Sequence, residues 1–312
     1  MADTLYDVII IGGGPAGYTA ALYCGRAAMN TLLLEKYMPG GQMATTAHID
    51  NYPGFPQGVD GFTLAMDMQK QAERFQIAHN MQEVISVTLK GAQKEIITAD
   101  GTTYRAKSVI LAAGASPREL GLQNERELRG KGVSYCATCD GAFFKDKTVV
   151  VIGGGDTAAA DAVFLSKLCK QVYVIHRRDS LRAAAVYYEV LRQAENVTFV
   201  WNSTVEEILH DGVVTGVRVK NRNTGETQTV ECQGVFVAIG NVPNTALFEG
   251  QIELDGNGYI ISDESTKTSE LGVFAAGDIR TKPLRQVVTA VADGAVAAYM
   301  AEEYIQLQTP EQ

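Results

Sequence analysis

Two cysteines and an acid stand close together in the middle of the chain. Cys136 and Cys139 are separated by two residues, and Asp140 follows directly. Cysteines at this spacing can close a small disulfide, and at a helix N-terminus the outer thiol has a lowered pKa and is a better nucleophile. The Asp140 carboxyl group can give or take the proton that thiol–disulfide exchange moves. The pattern therefore indicates redox chemistry.

The alternative interpretation of this pair is half of a zinc site. Such a site requires a second Cys or His pair at ligand spacing. The other cysteines, Cys24, Cys169 and Cys232, are scattered singly, with no histidine beside them in a ligand pattern. We therefore expect no metal. We expect these three cysteines to be small core residues, because free cysteine is commonly buried.

A nucleotide-binding pattern opens the chain. The apolar run Tyr6–Ile11 is typical of a parallel strand buried on both faces, and it leads into G-x-G-x-x-G from Gly12 to Gly17 and then a helical pattern. Such glycines let the backbone approach a pyrophosphate, which the helix N-terminus stabilises. The next strand ends in Glu35, an acid that can accept a hydrogen bond from a ribose hydroxyl group. This unit is predicted to bind FAD or NAD.

The same pattern recurs in the second half of the chain. A predicted strand, Thr148–Ile152, runs into glycines and a helical pattern, and a second strand, Gln171–Ile175, follows. That second strand ends in basic residues instead of an acid: His176, Arg177 and Arg178, with Arg182 close behind. Arginines at this place accommodate a 2′-phosphate, so the second unit is predicted to bind NADP.

Length and composition limit the remaining choices. A chain of 312 residues suits two domains, and a net charge of -9 argues against a nucleic-acid or anionic-membrane partner. No apolar run approaches the ~20 residues of a membrane helix. The first residues carry acids and lack the basic region of a signal peptide, so we expect a cytoplasmic protein.

Two different nucleotide sites and one disulfide imply an electron path. A nicotinamide delivers two electrons as hydride, whereas a dithiol receives them through exchange chemistry, and a flavin is the usual intermediary. The residues alone thus predict a flavoprotein that moves electrons from NADPH to a disulfide at Cys136 and Cys139.

The order of the motifs resembles one family over nearly the whole chain. Gly-Gly-Gln42, Cys-Ala-Thr-Cys-Asp140, Gly-Gly-Gly-Asp-Thr-Ala158, His-Arg-Arg-Asp179 and Gly-Asp-Ile279 follow the first glycine fingerprint. They stand in the order found in bacterial low-molecular-weight thioredoxin reductases, which are class II pyridine nucleotide-disulfide oxidoreductases containing FAD. One departure is Asn241-Val242, where His-Ser is common in the family.

The resemblance implies an α/β fold of two Rossmann-like nucleotide-binding domains, each a three-layer ββα arrangement. Residues 1–117 and 245–312 would form a discontinuous FAD domain, and residues 118–244 an inserted NADPH domain carrying the CxxC. It also implies a homodimer that reduces thioredoxin, with one domain rotating against the other during turnover.

The resemblance further assigns roles to single residues. Cys139 would face the flavin, Cys136 would attack the thioredoxin disulfide, and Asp140 would be the acid/base. NADPH would contact Gly155, Asp156, Thr157, His176, Arg177, Arg178, Arg182 and Gly240. FAD would contact Gly12, Gly14, Pro15, Ala16, Gly17, Glu35, Gly41, Gln42, Asn51, Val84, Ala113, Gly114, Asp278, Arg285, Gln286 and Val287.

Other functions stay open at this stage. A related reductase could serve a glutaredoxin-like or peroxiredoxin-linked carrier, because docking surfaces leave no short motif. A dithiol oxidase would share the CxxC and the FAD site but would not need the three arginines. A non-catalytic flavin-binding or redox-sensing protein would bind FAD without turning over NADPH.

Overall fold

The structure is a computed structural model of the chain, and it describes residues 4–46 and 48–308. Apolar and β-branched residues dominate the central strands, as expected for strands buried on both faces. The strands of the described chain are β1 Leu5–Ile11, β2 Thr31–Glu35, β3 Ala78–Met81, β4 Val84–Thr88, β5 Lys94–Thr98, β6 Thr103–Leu111, β7 Ala115–Pro117, β8 Val133–Ser134, β9 Thr148–Ile152, β10 Gln171–Ile175, β11 Val197–Val200, β12 Ser203–His210, β13 Val214–Asn221, β14 Thr227–Glu231, β15 Gly234–Val237, β16 Asn241–Pro243 and β17 Val273–Ala275.

The helices begin at residues suited to helix starts. Pro15 opens the first helix, where its missing N–H costs nothing, and Asp60 caps another by accepting from the Thr63 N–H at 2.8 Å. Within residues 4–46 and 48–308, no helix has the length and apolarity needed to cross a membrane. The helices are α1 Pro15–Arg26, α2 Gly61–Glu73, α3 Ala137–Asp140, α4 Asp156–Ser166, α5 Ala185–Gln193 and α6 Val287–Gln308, and 3₁₀ turns occur at Gly41–Thr45, Gly141–Phe144, Ala246–Phe248 and Gly277–Ile279.

The chain folds into two compact units. The first unit contains Met1–Ser116 and Val242–Gln312, and the second contains Pro117–Asn241. The second unit is therefore inserted in the sequence of the first, and the chain passes between them in β7 and β16. The sequence placed these passages after residues 117 and 244. Which unit binds which cofactor stays a prediction.

The first unit is built on a seven-stranded mixed sheet. Its order is β3-β2-β1-β6-β5-β4, and β17 also pairs with β6. The central strands are parallel, with Ile10 paired to Leu33 on one side and to Ile110 on the other, whereas β4 and β5 are antiparallel additions. Parallel strands that begin at the same edge also end at the same edge, so the residues that follow β1, β6 and β17 emerge together.

Small residues let two helices cover one face of this sheet closely. Ala16, Ala20 and Cys24 of α1 share a buried cluster with Ala297 and Ala301 of α6. The expectation that Cys24, Cys169 and Cys232 are core residues is confirmed, because all three are buried. Burial raises the pKa of the Cys169 thiol to about 11, which leaves it protonated and unreactive at neutral pH.

The second unit combines a parallel sheet with an antiparallel one. The parallel sheet has the order β11-β10-β9-β15-β8, and the antiparallel sheet has the order β12-β13-β14. The predicted strands Thr148–Ile152 and Gln171–Ile175 are confirmed at both ends. By contrast, β11, β12 and α5 were not predicted, although the apolar residues of α5 recur with the period of a helix.

A buried lysine in β5 yields a test of the first unit. Lys94 is 0% exposed, and its Nζ donates to the carbonyl oxygens of Gly91 at 2.6 Å and Leu271 at 2.7 Å. Lys94→Ala removes both bonds and leaves a cavity, so we expect the free energy of unfolding to fall by about 2–4 kcal/mol in urea denaturation. The exposed Lys90→Ala should cost less than about 0.5 kcal/mol. Equal losses in the two variants would contradict this role.

Candidate functional site

The first glycine turn joins β1 to α1 through close backbone contacts. Gly12 has φ +110°, and a Cβ there would lie 2.5 Å from the carbonyl oxygen of Ala112. A Cβ on Gly17 would overlap the carbonyl oxygen of Gly12. Gly14, in contrast, has no atom within 4 Å of an added Cβ and caps α1. The turn is thus tight on its protein side and open in front of the helix N-terminus, as a pyrophosphate requires.

Glu35 ends β2 beside this turn. Its Oε2 accepts from the Gly13 N–H at 2.6 Å, and its Oε1 accepts from the Tyr37 N–H at 3.1 Å. The sequence predicted a hydrogen bond from Glu35 to a ribose hydroxyl group. In the structure the same carboxylate also holds the middle glycine of the turn, a contact that the spacing did not indicate.

Further predicted residues converge on the same edge of the first sheet. The Gly40 N–H donates to Gly13 O at 2.7 Å, which brings the segment with Gly41 and Gln42 to the turn. The Gln42 amide donates to Ala115 O, next to Ala113 and Gly114 after β6. Val84, also a predicted contact residue, instead packs in the core cluster that contains Ile11 and Leu34.

The turn after β17 carries an acid without a partner. Oδ1 of Asp278 is buried and meets no hydrogen-bond partner among the described residues. Burial raises the pKa of the Asp278 carboxyl group, and the charges of Lys282 and Arg285 oppose this. A buried acceptor without a donor is costly unless a ligand supplies one. A hydroxyl group of a bound cofactor is a donor of this kind, so the residues present fit FAD.

The other predicted residues of this part contact one another. The Arg285 guanidinium lies 4.0 Å above the Tyr259 ring, and its Nε donates to Asp278 O at 3.4 Å. The Asn51 side-chain amide donates to Gln286 Oε1 at 2.9 Å, which joins residues 235 positions apart at the start of α6. Pro15 and Ala16 open α1, and Val287 is the first residue of α6.

The sequence analysis did not identify Asp293, which holds the turn of Asp278. Asp293 Oδ2 accepts from the Gly277 N–H at 2.9 Å and from Lys282 Nζ at 2.7 Å, and the three side chains of Arg280, Lys282 and Asp293 are nearly buried. A usable signal was present: Asp293 is an acid within an otherwise small and apolar helical run. Such an acid is rarely buried without a partner.

The second glycine turn, unlike the first, is covered by a histidine side chain. His176 is 5% exposed, and a Cβ on Gly154 would overlap its ring. Burial lowers the pKa of His176, and the charges of Arg182, Arg177 and Arg178 lower it further. The neutral imidazole thus lies against the turn, whereas the three arginines are exposed.

Two contacts hold the arginine segment next to the N-terminus of α4. Asp156 Oδ1 accepts from the Ala184 N–H at 2.8 Å, and the Arg182 N–H donates to Gly154 O at 2.7 Å. An added Cβ on Gly155 meets no atom within 4 Å, and Thr157 is exposed beside it. An open helix N-terminus next to exposed arginines fits a phosphorylated dinucleotide. Gly240, with φ +101°, follows β15 in the same unit.

The two cysteines of the CxxC form a disulfide in the structure. The Sγ atoms of Cys136 and Cys139 are bonded, and their Cα atoms are 5.3 Å apart. Cys136 caps the single helical turn α3, and its carbonyl oxygen accepts from the Asp140 N–H at 3.1 Å. Both cysteines are half-buried. The predicted disulfide is thereby confirmed, and its redox role stays a prediction.

Asp140 lies beside the disulfide with a perturbed carboxyl group. Burial raises its pKa, while the Ser134 hydroxyl group, which donates to Oδ2 at 2.6 Å, and the charge of Arg129 oppose the rise. A carboxyl group with a raised pKa exchanges its proton nearer to neutral pH. The Asp140 side chain is therefore suited to supply and accept a proton.

Buried polar residues support the strand before the disulfide. The Tyr135 hydroxyl group donates to Glu125 Oε1 at 2.8 Å, and Glu125, 2% exposed, also accepts from the backbone N–H groups of Leu120, Gly121 and Leu122. No sequence pattern indicates this contact, because Glu125 stands in a charged, loop-like segment. Neither Glu125 nor Ser134 was predicted.

Comparisons with known proteins agree on one family. The pyridine nucleotide-disulphide oxidoreductase model matches residues 6–294. The chain is similar to a thioredoxin reductase from Peptoclostridium litorale, at 50% identity over 97% of this chain and 98% of that protein. It is also similar to one from Mycolicibacterium smegmatis, at 45% identity over 97% of this chain and 98% of that protein.

Solved structures give the same picture. The chain is similar to the thioredoxin reductase of Streptococcus pyogenes MGAS5005, with a TM-score of 0.91 and 41% identity over 98% of this chain and 100% of that one. It is also similar to the thioredoxin reductase of Giardia duodenalis, with a TM-score of 0.90 and 36% identity over 96% of this chain and 99% of that one.

The first glycine turn can be tested without any cofactor. Because Gly12 has φ +110° and no room for a Cβ, Gly12→Ala should lower the free energy of unfolding of the apoprotein by on the order of 2 kcal/mol. Gly256→Ala is the control, because an added Cβ there meets no atom within 4 Å and its φ is not in the left-handed region. Urea denaturation in which Gly12→Ala matches the control would contradict the tight turn.

Proposed function

The chain belongs to the pyridine nucleotide-disulphide oxidoreductase family, and from that premise we propose that it is a thioredoxin-disulfide reductase. It uses FAD and NADPH and passes electrons through the Cys136–Cys139 disulfide to oxidised thioredoxin. The observation that carries the proposal is this disulfide, with Asp140 beside it, in a chain that also has two nucleotide-type glycine turns.

We assign FAD to the first unit and NADPH to the second. In the first unit, the open space at Gly14 and the buried Oδ1 of Asp278, which has no hydrogen-bond partner among the described residues, support a site for a pyrophosphate and a hydroxyl-bearing chain. In the second unit, the exposed Arg177, Arg178 and Arg182 support a site for a 2′-phosphate. When bound, FAD would supply the two-electron chemistry that links a nicotinamide hydride to the reduction of a disulfide.

Each functional residue of the CxxC segment has its own chemical role in this proposal. Reduction of the Cys136–Cys139 bond takes up two electrons and two protons, and Asp140 is the side chain that holds a proton beside it. The Cys136 thiolate attacks one sulfur of oxidised thioredoxin, so the thioredoxin disulfide breaks and a mixed disulfide forms. The Cys139 thiolate then attacks Cys136, which restores their bond and releases reduced thioredoxin. These individual roles are proposals.

A homodimer and a cytoplasmic location belong to the same proposal. They are supported by the family likeness and not by a contact within the described residues. The alternatives differ from this function in the electron acceptor or in the use of NADPH. A dithiol oxidase would pass electrons to oxygen, a reductase of another carrier would not reduce thioredoxin, and a sensing protein would bind FAD without consuming NADPH.

The deciding experiment measures NADPH oxidation by the purified FAD-loaded protein under argon, with and without oxidised thioredoxin from the same genome. We expect rapid NADPH oxidation only when thioredoxin is present. Flavin bleaching by NADPH without thioredoxin turnover would indicate that the substrate is another disulfide carrier and not thioredoxin. Absence of bleaching would overturn the assignment of NADPH to the second unit.

The redox role of the disulfide predicts a sharp mutational effect. Cys139→Ser removes the bond that takes up the electrons, so thioredoxin-dependent turnover should fall by on the order of 10³-fold or more, with FAD still bound. Cys169→Ser changes a buried cysteine outside this segment and serves as the control. Turnover within tenfold of wild type in Cys139→Ser would refute the assigned path.

The arginine segment predicts the choice of nicotinamide cofactor. Replacing both Arg177 and Arg178 with Gln removes charge that would face a 2′-phosphate, so KM for NADPH should rise by about tenfold or more while KM for NADH changes little. Arg192→Gln, an exposed arginine in α5, should alter neither value. An unchanged NADPH preference in the double variant would remove the 2′-phosphate assignment.

A further inference from the structure

Ser134 bridges the two functional parts of the CxxC segment. It is the last residue of β8 and is 3% exposed. Its Oγ accepts from the Cys136 N–H at 3.1 Å and donates to Asp140 Oδ2 at 2.6 Å. The Cys136 carbonyl oxygen is a more distant acceptor at 3.3 Å. Because the hydroxyl group has one proton to donate, the shorter contact to Asp140 takes it.

We infer that Ser134 is a positioning residue for the redox centre: its hydroxyl group ties the Asp140 carboxyl group to the backbone of Cys136 and favours the ionised carboxylate. The inference rests on the proposed function, because Asp140 needs a set protonation state only if the disulfide undergoes exchange. The hydrogen bonds of the Ser134 side chain within the described residues go to Asp140 and to the backbone of Cys136, so Ser134 acts through these two groups.

The surroundings make this single hydrogen bond influential. Burial disfavours the charged form of Asp140, and the contributions that oppose burial are the Ser134 hydroxyl group and the charge of Arg129. A hydrogen bond to a charged group is stronger than one between neutral groups, and more so away from water. Loss of the hydroxyl group would leave Arg129 to oppose the burial of Asp140.

The remaining neighbours of α3 offer few other charges. The turn Gly141–Phe144 and the strands β8 and β15 carry no charged side chain. The packed helix α4 carries Asp156, whose Oδ1 accepts from the Ala184 N–H, and Asp161, whose pKa burial raises to about 7. Both are acids, so neither can replace the stabilisation that Ser134 gives to the Asp140 carboxylate.

The test compares side chains of equal shape that differ in the hydroxyl group. Ser134→Thr keeps the hydroxyl group and Ser134→Val replaces it with a methyl group, and both β-branched residues suit a strand. Ser134→Ala is the simplest deletion. Ser203→Ala is the matched control, because Ser203 is also 3% exposed, lies in the same unit and donates to Trp201 O at 2.7 Å.

The main readout is the pH dependence of kcat with thioredoxin. The limb of this pH–kcat curve that is absent in Asp140→Asn is assigned to the titration of Asp140. Without the hydroxyl group, Asp140 keeps its proton to higher pH, so this limb should move up by about one pH unit in Ser134→Ala and Ser134→Val. This limb should stay at the wild-type position in Ser134→Thr and Ser203→Ala. A purely structural effect of a substitution would instead lower kcat at every pH without moving the limb.

A second readout needs no turnover. Carbon-13 NMR of the oxidised protein, labelled at the aspartate side-chain carboxyl carbon, follows the Asp140 titration directly, with Asp140→Asn giving the assignment. We expect the same upward shift in the hydroxyl-lacking variants. An Asp140 titration that is equal in Ser134→Thr and Ser134→Val overturns the inference, even if Ser134→Ala fails to fold.

The two proposals fail in different ways. A wild-type protein that does not reduce thioredoxin at any pH contradicts the proposed function, while the NMR titration still decides whether Ser134 controls Asp140. A protein that reduces thioredoxin with the pH limb unmoved in Ser134→Val contradicts only the role of Ser134.

Discussion

Backbone atoms approach so closely at the two glycine turns that no side chain fits between strand end and helix. A Cβ on Gly17 would overlap the Gly12 carbonyl oxygen, and a Cβ on Gly153 would lie 2.7 Å from the Cβ of Ala158. These contacts place the N-termini of α1 and α4 directly above the ends of β1 and β9. All candidate nucleotide contacts depend on that placement, because the free N–H groups of a helix face the space in front of it.

In both turns a side chain covers the middle glycine, but the two side chains differ in chemistry. In each unit, a residue at the C-terminal end of the second strand covers the middle glycine of the turn: Glu35, the last residue of β2, lies over Gly13, and His176, which directly follows β10, lies over Gly154. The Glu35 side chain accepts a hydrogen bond from the Gly13 N–H and so places an acidic residue at the turn. His176 is buried with its pKa lowered, so the charge of the second unit comes from the exposed arginines that follow it. One backbone geometry therefore presents an acid in one unit and bases in the other.

Buried polar groups hold the redox segment together with apolar packing. α3 is one helical turn, which is too short to be stable alone. Glu125 fixes Tyr135 from one side, and Ser134 links Cys136 to Asp140 from the other. The disulfide segment is thus held on both sides by partly buried hydrogen bonds, and partial removal from water strengthens such bonds.

The sequence by itself determined the two nucleotide-type units, the disulfide and the confirmed strands at Thr148–Ile152 and Gln171–Ile175, because these features are local in the chain. A glycine pattern between a strand and a helix, or two cysteines at fixed spacing, limits the backbone within a few residues. The tertiary structure alone decided that Asp293 supports the turn of Asp278, and that Glu125 supports Tyr135. Those pairs are distant in sequence or belong to irregular segments, so even where a pattern marks one member, as it does for Asp293, no pattern identifies its partner. Folding brings them together, and burial then makes each hydrogen bond matter.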